Sequence, residues 1–587
     1  MSKKFNSSFL KIFLWILLLS LCYTLITVSL NYVQGGASDR IFHLMRLVEN
    51  YTNLRQHSLT YIMTTTFGAA GQGINFFYPT GSLWPFLVSM LLIKNPIHAL
   101  FWGTFLRTVI GFAASIMAMK LLKYSDKISF LFAVSYIFST YLLYNAIPRF
   151  DLGEAMAVLF LPLVFASFYI VLNSKRNTPF AWLVLSVSLT LVTYSHLLTT
   201  VLTVCILFFL MIVYFIKNYG FNNLKNIFCQ LLLAGITYIL MTLGFWVPLV
   251  DQLIGTHIMH PELPYGFGLP SIIDPSFDEI IKVSLSNHIQ NNGVTVGVLV
   301  LTGIVILGIN FNKLQPKNKW MYMLGLLFLI LSTDIMPWAM LAKTPLSVIQ
   351  MPSRFIPFAN LFLIYVIVSE QGRFLKVYLG NKKKVTYLIF LLMPILLAMG
   401  SCVIYFQQQH AVPMASKGKS VAYSWAKRVD SQANWFGMSG SIYDDYLPTA
   451  TTTVKRHVNQ GDILIDQQVI SGKDTVRQPI PNGMVYQVKS LEQKTGKLTL
   501  PFWTYNKGHY VISINNGGEQ HILNSKTNVA STMTTLQKGN NTVRIQFKSP
   551  VIYKIAKLIS FISVLVGLFL LVWYQLFRKN HSIKIKH

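Results

Sequence analysis

Chemistry-bearing residues are rare in this chain and fall in a few short polar stretches. In Ser38-Asp39-Arg-Ile-Phe-His43-Leu-Met-Arg46 a carboxylate, an imidazole and a guanidinium follow one another at i, i+4 and i+7. On a helix these share one face. A carboxylate beside an imidazole can take or give a proton there, and a guanidinium can bind an anion through paired N–H groups. The purely structural alternative is a capped interfacial helix, with Asp39 in its first turn and Arg46 among lipid headgroups.

A second stretch, Arg149-Phe-Asp151-Leu-Gly-Glu154, puts two acids and a base directly before an apolar run. A carboxylate at a helix N-terminus is favoured by the helix field alone. Two carboxylates from separate loops, with Arg149 nearby, also suit a negatively charged leaving group. His196 interrupts two apolar runs, a position usual for a packing histidine, and Arg354 follows Ile349-Gln-Met-Pro-Ser. Arg354 is a phosphate-binding candidate because a planar guanidinium meets phosphate with two parallel hydrogen bonds; its structural alternative is a snorkelling interface residue. Arg107 and Asp334 fall inside apolar runs. A charge at that depth costs at least about 2.5–3.5 kcal/mol, so both are expected in the bundle interior. Walker, Cys-x-x-Cys, His-Glu-x-x-His and Gly-x-Ser-x-Gly motifs are absent, which argues against ATP-driven transport, zinc hydrolysis and serine-type acyl transfer.

The elements that position these residues follow from composition. Of the 587 residues 53% are hydrophobic and only 12% charged, against about 25% charged in soluble domains. Soluble globular, disordered and collagen-like classes are excluded. Apolar runs of about 20 residues recur, the length that crosses a bilayer core. About twelve spans are expected, at 9–33, 97–122, 128–146, 155–173, 179–194, 197–217, 227–250, 293–310, 319–341, 353–370, 385–406 and 551–577. The first exceeds the roughly 7–15-residue core of a signal peptide and reads as an uncleaved helix with a cytoplasmic N-terminus. Segment 81–93 is too short to span and contains Pro85, so a re-entrant or interfacial segment is expected.

The net charge of +29 comes from 49 Lys and Arg against 20 Asp and Glu. Alternation of the spans collects the basic short loops, among them Lys120/Lys123/Lys127, Lys175/Arg176, Lys217/Lys225 and Lys313/Lys317/Lys319, on one side. The positive-inside rule accounts for that pattern, and nucleic acid is not an expected partner. This places a multi-pass protein in the plasma membrane with both termini cytoplasmic. The expected layout is a transmembrane domain over 1–406 with outer loops 34–96, 147–154 and 251–292, an extracellular β-rich domain over 407–550, a last helix at 551–577 and a basic tail at 578–587. Period-2 runs such as Thr542-Val-Arg-Ile-Gln-Phe, separated by Asn-Gly, Gly-Gly and Gly-Asn turns, make the outer domain a β-sandwich. Cys22, Cys205, Cys229 and Cys402 all lie in apolar runs, as buried thiols rather than a disulfide framework.

Several motifs together resemble a bacterial membrane family, the one named for a 6-pyruvoyl-tetrahydropterin-synthase-related domain and close to the YfhO-like proteins. They are Asp39 to Arg46, Asn75-Phe-Phe-Tyr78-Pro79, Arg149 to Glu154, Phe160-Leu-Pro162-Leu, Ile349-Gln-Met-Pro-Ser-Arg354-Phe, Asp445-Tyr-Leu-Pro448 and Leu500-Pro-Phe-Trp-Thr-Tyr. Nothing in the chain suggests pterin chemistry. Such proteins are similar to GT-C-type glycosyltransferases, which take sugars from polyprenyl-phosphate donors at the outer membrane face. The resemblance implies a catalytic acid in the first outer loop, matching Asp39, and a second in the next, matching Glu154 or less closely Asp151. It implies Asp39 as general base on an acceptor hydroxyl of a cell-envelope polymer such as a teichoic-acid-type glycan, with inversion at the sugar. Arg149 and Arg354 would hold the departing phosphate, with His43, Arg46, Tyr78 and His196 as further substrate contacts. Glu154 would position the acceptor or, with Asp39, a divalent cation. Ser353 stands where the family often has an aromatic, which bears on Arg354. The rival expectation is a transporter or an assembly scaffold for lipid-linked envelope precursors; transport would depend on Arg107 and Asp334, a scaffold on the β-domain.

Overall fold

The computed structural model describes residues 2–29, 39–173, 180–218, 224–259, 276–289, 295–341, 344–379, 383–411, 444–471, 475–515, 517–523 and 527–584. Its helices are α1 Ser2–Thr24, α2 Arg40–Arg55, α3 Ile74–Phe77, α4 Trp84–Leu92, α5 Pro96–Leu121, α6 Asp126–Ile137, α7 Thr140–Ala146, α8 Leu152–Leu172, α9 Ala181–Ser195, α10 Leu197–Lys217, α11 Leu224–Gly255, α12 Phe277–Ser286, α13 Val298–Ile309, α14 Pro316–Leu331, α15 Trp338–Leu341, α16 Ile356–Leu379, α17 Lys383–Ala411, α18 Thr452–Gln460 and α19 Val551–Lys584.

Among the described residues eight helices are long and apolar enough to cross a membrane, or nine if α6 and α7, bent by 48° at their junction, form one span. The protein is thus a polytopic helical membrane protein carrying a β-rich domain. The count falls short of the expected twelve because three of the expected spans hold helices too short to be counted as crossings. α9 and α13 are shorter than a crossing, and α14 ends at Leu331. There the hydroxyls of Ser332 and Thr333 turn back onto Leu329 O (2.6 Å) and Ile330 O (2.8 Å) and close the last turn. Hydropathy does not register such a stop, since Ser and Thr are only weakly polar. Asp334 follows it, exposed, and accepts from Phe277 N at 3.1 Å; the expectation of an interior charge fails for this residue. Arg107 is buried, 5.8 Å from the Phe86 ring centre. In segment 81–93, Pro85 does not interrupt the helix but opens it, at a position where its missing N–H costs nothing, and α4 packs on α5.

α8 is the buried axis of the bundle, in contact with α5, α9, α10 and α16. It contains Pro162, which has no N–H to give to Val158 O. Tyr136 supplies the missing donor, its hydroxyl reaching Val158 O at 2.9 Å.

The β-domain is two antiparallel sheets. β1 Ile463–Ile465, β2 Gln468–Ser471, β5 Lys494–Trp503 and β8 Val529–Leu536 form one, in the order β2-β1-β5-β8. β3 Val476–Ile480, β4 Gly483–Ser490, β6 Tyr510–Ile514, β7 Gln520–His521 and β9 Gly539–Phe547 form the other, ordered β3-β4-β9-β6-β7. Alternate residues such as Tyr486 and Val488 of β4 and Val543 and Ile545 of β9 fill the space between them. At the start of the expected domain 407–550, α17 runs on to Ala411, and 412–443 lie outside the described residues.

This core does not close on itself. It continues into Tyr61, Phe76 and Phe77 of the segment between α2 and α4 and Phe245 and Tyr553 of α11 and α19. Asn482, at φ 57° in the β3–β4 turn, accepts from Tyr61 N (2.8 Å) and Ile62 N (3.2 Å). Trp503 N donates to Ala70 O at 2.7 Å, and the Tyr505 hydroxyl takes Gly73 N at 2.9 Å. The apolar-aromatic stretch 501–505 is buried against this segment. Gly71 makes the approach possible: at φ +77° it lies so close to Phe502 that an added Cβ would come within 2.6 Å of the ring. Gly71→Ala is therefore expected to cost at least about 1–2 kcal/mol from the left-handed backbone alone, read as a lower Tm and faster proteolysis of the β-domain in detergent.

Candidate functional site

Arg149 organises the site. It lies in the short connection from α7 to α8, where Phe150 adopts φ 59° and reverses the chain. Its Nε meets Asp39 Oδ2 at 2.9 Å, Nη2 meets Asp151 Oδ2 at 3.1 Å and Nη1 meets Glu154 Oε2 at 2.8 Å. Its carbonyl receives Asp39 N at 3.0 Å, so backbone and side chain both tie the α2 entrance to the α8 entrance. Asp151 caps α8, taking the N–H groups of Gly153 and Glu154, each at 2.9 Å, on Oδ1. The same oxygen receives the Tyr78 hydroxyl at 3.1 Å and faces His43 Nε2 at 3.2 Å. Gly153 is required there, since a Cβ would overlap the Tyr78 hydroxyl. Glu154 is held from the other side by the Tyr141 hydroxyl, and Arg354 Nε lies 3.7 Å from its Oε2.

Burial alone would push the Asp151 carboxyl up. Arg149 and the hydrogen bond and charge of His43 outweigh it and hold Asp151 well below the usual carboxylate range. Arg149 would lose basicity by burial, but Glu154, Asp151 and Asp39 raise it well above its ordinary value. Burial pushes His196 down to about 4 despite the pull of Asp151 and Glu154, which leaves it neutral near pH 7. Arg46 is lowered to about 10 by burial, with Tyr78, Tyr446 and Asp151 opposing.

All nine sequence-selected residues gather at this end of the bundle, but not in the expected pairs. His43 meets Asp151 rather than Asp39. Arg46 is fully buried, not among headgroups: its Nη2 donates to Tyr78 O (3.1 Å) and Pro79 O (2.8 Å), and its guanidinium lies 4.0 Å from the Tyr78 ring centre. Nε and Nη1 of Arg46 are buried without hydrogen-bond partners among the described residues. Arg149 is fully engaged by carboxylates, and both oxygens of Glu154 are taken. Arg354 donates through Nη1 to Ile349 O (2.7 Å) and Gln350 Oε1 (2.6 Å) and keeps Nε without a hydrogen-bond partner among the described residues. Only Asp39 is well exposed, with 36% of its side chain accessible against 3% for Asp151 and 1% for Glu154.

Asp151, Glu154 and His196 each offer a ligand atom within 4.8 Å of the others. They fit a cation poorly. Arg149 already supplies positive charge to both acids, and His196 Nδ1 accepts from Thr199 N at 3.3 Å, a pairing that puts the ring proton on Nε2.

Residues beyond the selection also take part. Tyr141 looked like an ordinary aromatic of an apolar run. Asp445 and Tyr446, quoted above only for a resemblance, come to the same mouth. Tyr446, at φ 63°, stacks on Phe77 with ring centres 5.8 Å apart, and its carbonyl takes the Tyr505 hydroxyl at 2.9 Å. Asp445 stays accessible, yet partial desolvation and then Asp39 and Asp444 push its carboxyl above the usual range.

A polytopic membrane protein with a docked β-sandwich and a buried Arg–carboxylate cluster at one end of its central helix is the class that fold and site define. Neither a protein family nor a curated protein matches the chain. Among solved structures it is similar to the crystal structure of ArnT from Cupriavidus metallidurans bound to undecaprenyl phosphate, with 12% identity, 74% of this chain and 76% of that chain covered, and a TM-score of 0.39. A likeness of that size carries no function from one protein to the other.

Two outcomes follow from the cluster. Arg149→Gln leaves buried carboxylates unpaired and is expected to cost about 3–5 kcal/mol, measured as a large Tm loss in detergent. Because His196 binds its proton less readily folded than unfolded, stability falls as pH drops from about 6.5 towards about 4; His196→Gln should reduce that loss in thermal melts across the same range.

Proposed function

We propose that the protein is a membrane glycosyltransferase that moves a sugar from a polyprenyl-phosphate donor to a cell-envelope polymer at the outer membrane face. One observation carries this reading: of the carboxylates gathered on Arg149, Asp39 alone is open to solvent, and it lies where membrane-crossing helices end. A lipid-linked donor presents its phosphate and sugar at that depth, with its chain among the helices. In the reaction an acceptor hydroxyl attacks the anomeric carbon, and the bond from that carbon to the phosphate oxygen breaks with its electron pair leaving on phosphate. Asp39 takes the hydroxyl proton through Oδ1, the oxygen Arg149 does not use. Arg149 is a positioning residue that fixes Asp39. Phosphate charge falls to Arg354 and Arg46, which retain unpartnered N–H groups. The Asp39 proton can pass to Asp445, whose carboxyl is pushed above the usual carboxylate range.

Transport has less support, because Asp334 lies exposed at a helix end while Arg107 is interior, so the pair does not line one path. With purified protein, a labelled polyprenyl-phosphate sugar and an envelope-polymer acceptor, Asp39→Asn is expected to lower kcat by about 10²–10⁴-fold while leaving Tm and KM for the donor close to wild type. Wild-type turnover by Asp39→Asn removes the general-base role.

A further inference from the structure

At the opposite end of α8 from the acid cluster, about 22 Å along its axis from Glu154 to Tyr169 at 1.5 Å per residue, the bundle opens into a cavity. Its volume is about 370 Å³, and it is bounded by α5, α6, α8, α10, α14 and α16. That is within the range of small-molecule pockets, about 300–1,000 Å³. The walls are apolar, with Pro162, Phe165, Ala166 and Phe362 among them, and the rim carries Lys217 and Lys317. Lys317 Nζ lies 4.3 Å from the Tyr169 ring centre and 5.3 Å from that of Tyr365; Lys217 Nζ lies 4.6 Å from that of Trp320. Neither lysine has a carboxylate partner among the described residues. Asp126 pairs with Lys120, and Glu370 is held by Asn318 Nδ2 at 2.6 Å.

We infer that this cavity binds an anionic phospholipid of the adjoining leaflet, with an acyl chain between α8 and α16 and the phosphate against Lys217 and Lys317. The occupant follows from the chemistry of the walls and rim. An apolar slot needs a hydrocarbon chain, and two unpaired ammonium groups over aromatic faces need an anion at its end. Leu122 after α5, Asn173 after α8 and Lys217 at the end of α10 border the cavity, at the end that the expected orientation makes cytoplasmic. The site is separate from the reaction centre and does not rest on the proposed transfer activity.

The test is lipid retention by the full-length protein in detergent, read by native mass spectrometry after titration with phosphatidylglycerol or phosphatidylcholine. Wild type should retain phosphatidylglycerol preferentially. Lys217→Gln with Lys317→Gln should lower that retention roughly tenfold or more, with phosphatidylcholine unchanged. Lys489→Gln on the β-domain should leave both as in wild type, and the paired Arg substitutions should preserve phosphatidylglycerol binding. Ala166→Leu, which narrows the cavity without touching either lysine, should weaken phosphatidylglycerol retention too and keeps the proposal testable if the double Gln variant does not fold. Equal retention of the two phospholipids, wild-type retention by the double Gln or the Ala166→Leu variant, or one-for-one displacement of phosphatidylglycerol by a polyprenyl phosphate would overturn it.

Discussion

A buried guanidinium shared by three carboxylates is the constraint on which this structure turns. Asp151 and Glu154 could not stay ionised in the apolar end of a helix bundle without Arg149, and Arg149 could not be buried without them. Because its third partner, Asp39, belongs to a different segment, the same interaction joins the α2 entrance to the α7–α8 connection. The helix cap at Asp151, the reversal at Phe150 and the bare Cα of Gly153 serve that one arrangement. Its chemical consequence is a division of labour: two acids are consumed as structure, and the third is held at the surface with one oxygen that Arg149 does not engage.

The β-domain extends the arrangement beyond the helix bundle. Its 501–505 stretch and the Asn482 turn grip the segment between α2 and α4, and that segment supplies Tyr78 to Asp151. Tyr505 also holds Tyr446, which keeps Asp445 at the mouth beside Asp39. The domain therefore helps to build the site wall, and loss of its docking would be felt at Asp151 through Tyr78. A second tie joins it to the helices, where Asp251 of α11 meets His509 at 2.9 Å and the Tyr553 hydroxyl of α19.

Much of this was legible in the residues. Apolar runs revealed the membrane class, and period-2 patterning with turn residues revealed the sandwich. Asp39, Arg149, Asp151 and Glu154 stood out as charges in short polar stretches. What could not be read was who pairs with whom. The i, i+4, i+7 spacing put Asp39, His43 and Arg46 on one face, but it is silent on a partner more than a hundred residues away, and Arg149 drew Asp39 off while Asp151 took His43. Span counting failed where Ser332 and Thr333 end a helix with their own hydroxyls. Tyr141 carried no local signal and Asp445 only a motif resemblance, because their contribution depends on chain segments that meet only in the fold.

The account stands or falls on where the donor's phosphate binds. The most direct measurement is an experimentally determined structure of the full-length protein with a polyprenyl phosphate bound. The account predicts phosphate density in contact with Arg354 or Arg46, on the side of the cluster that Asp39 opens to solvent, with the prenyl chain leaving between the helices. Phosphate bound away from that mouth, with the Arg149 cluster sealed and Asp39 touching nothing of the ligand, would contradict it and reduce the cluster to a structural joint.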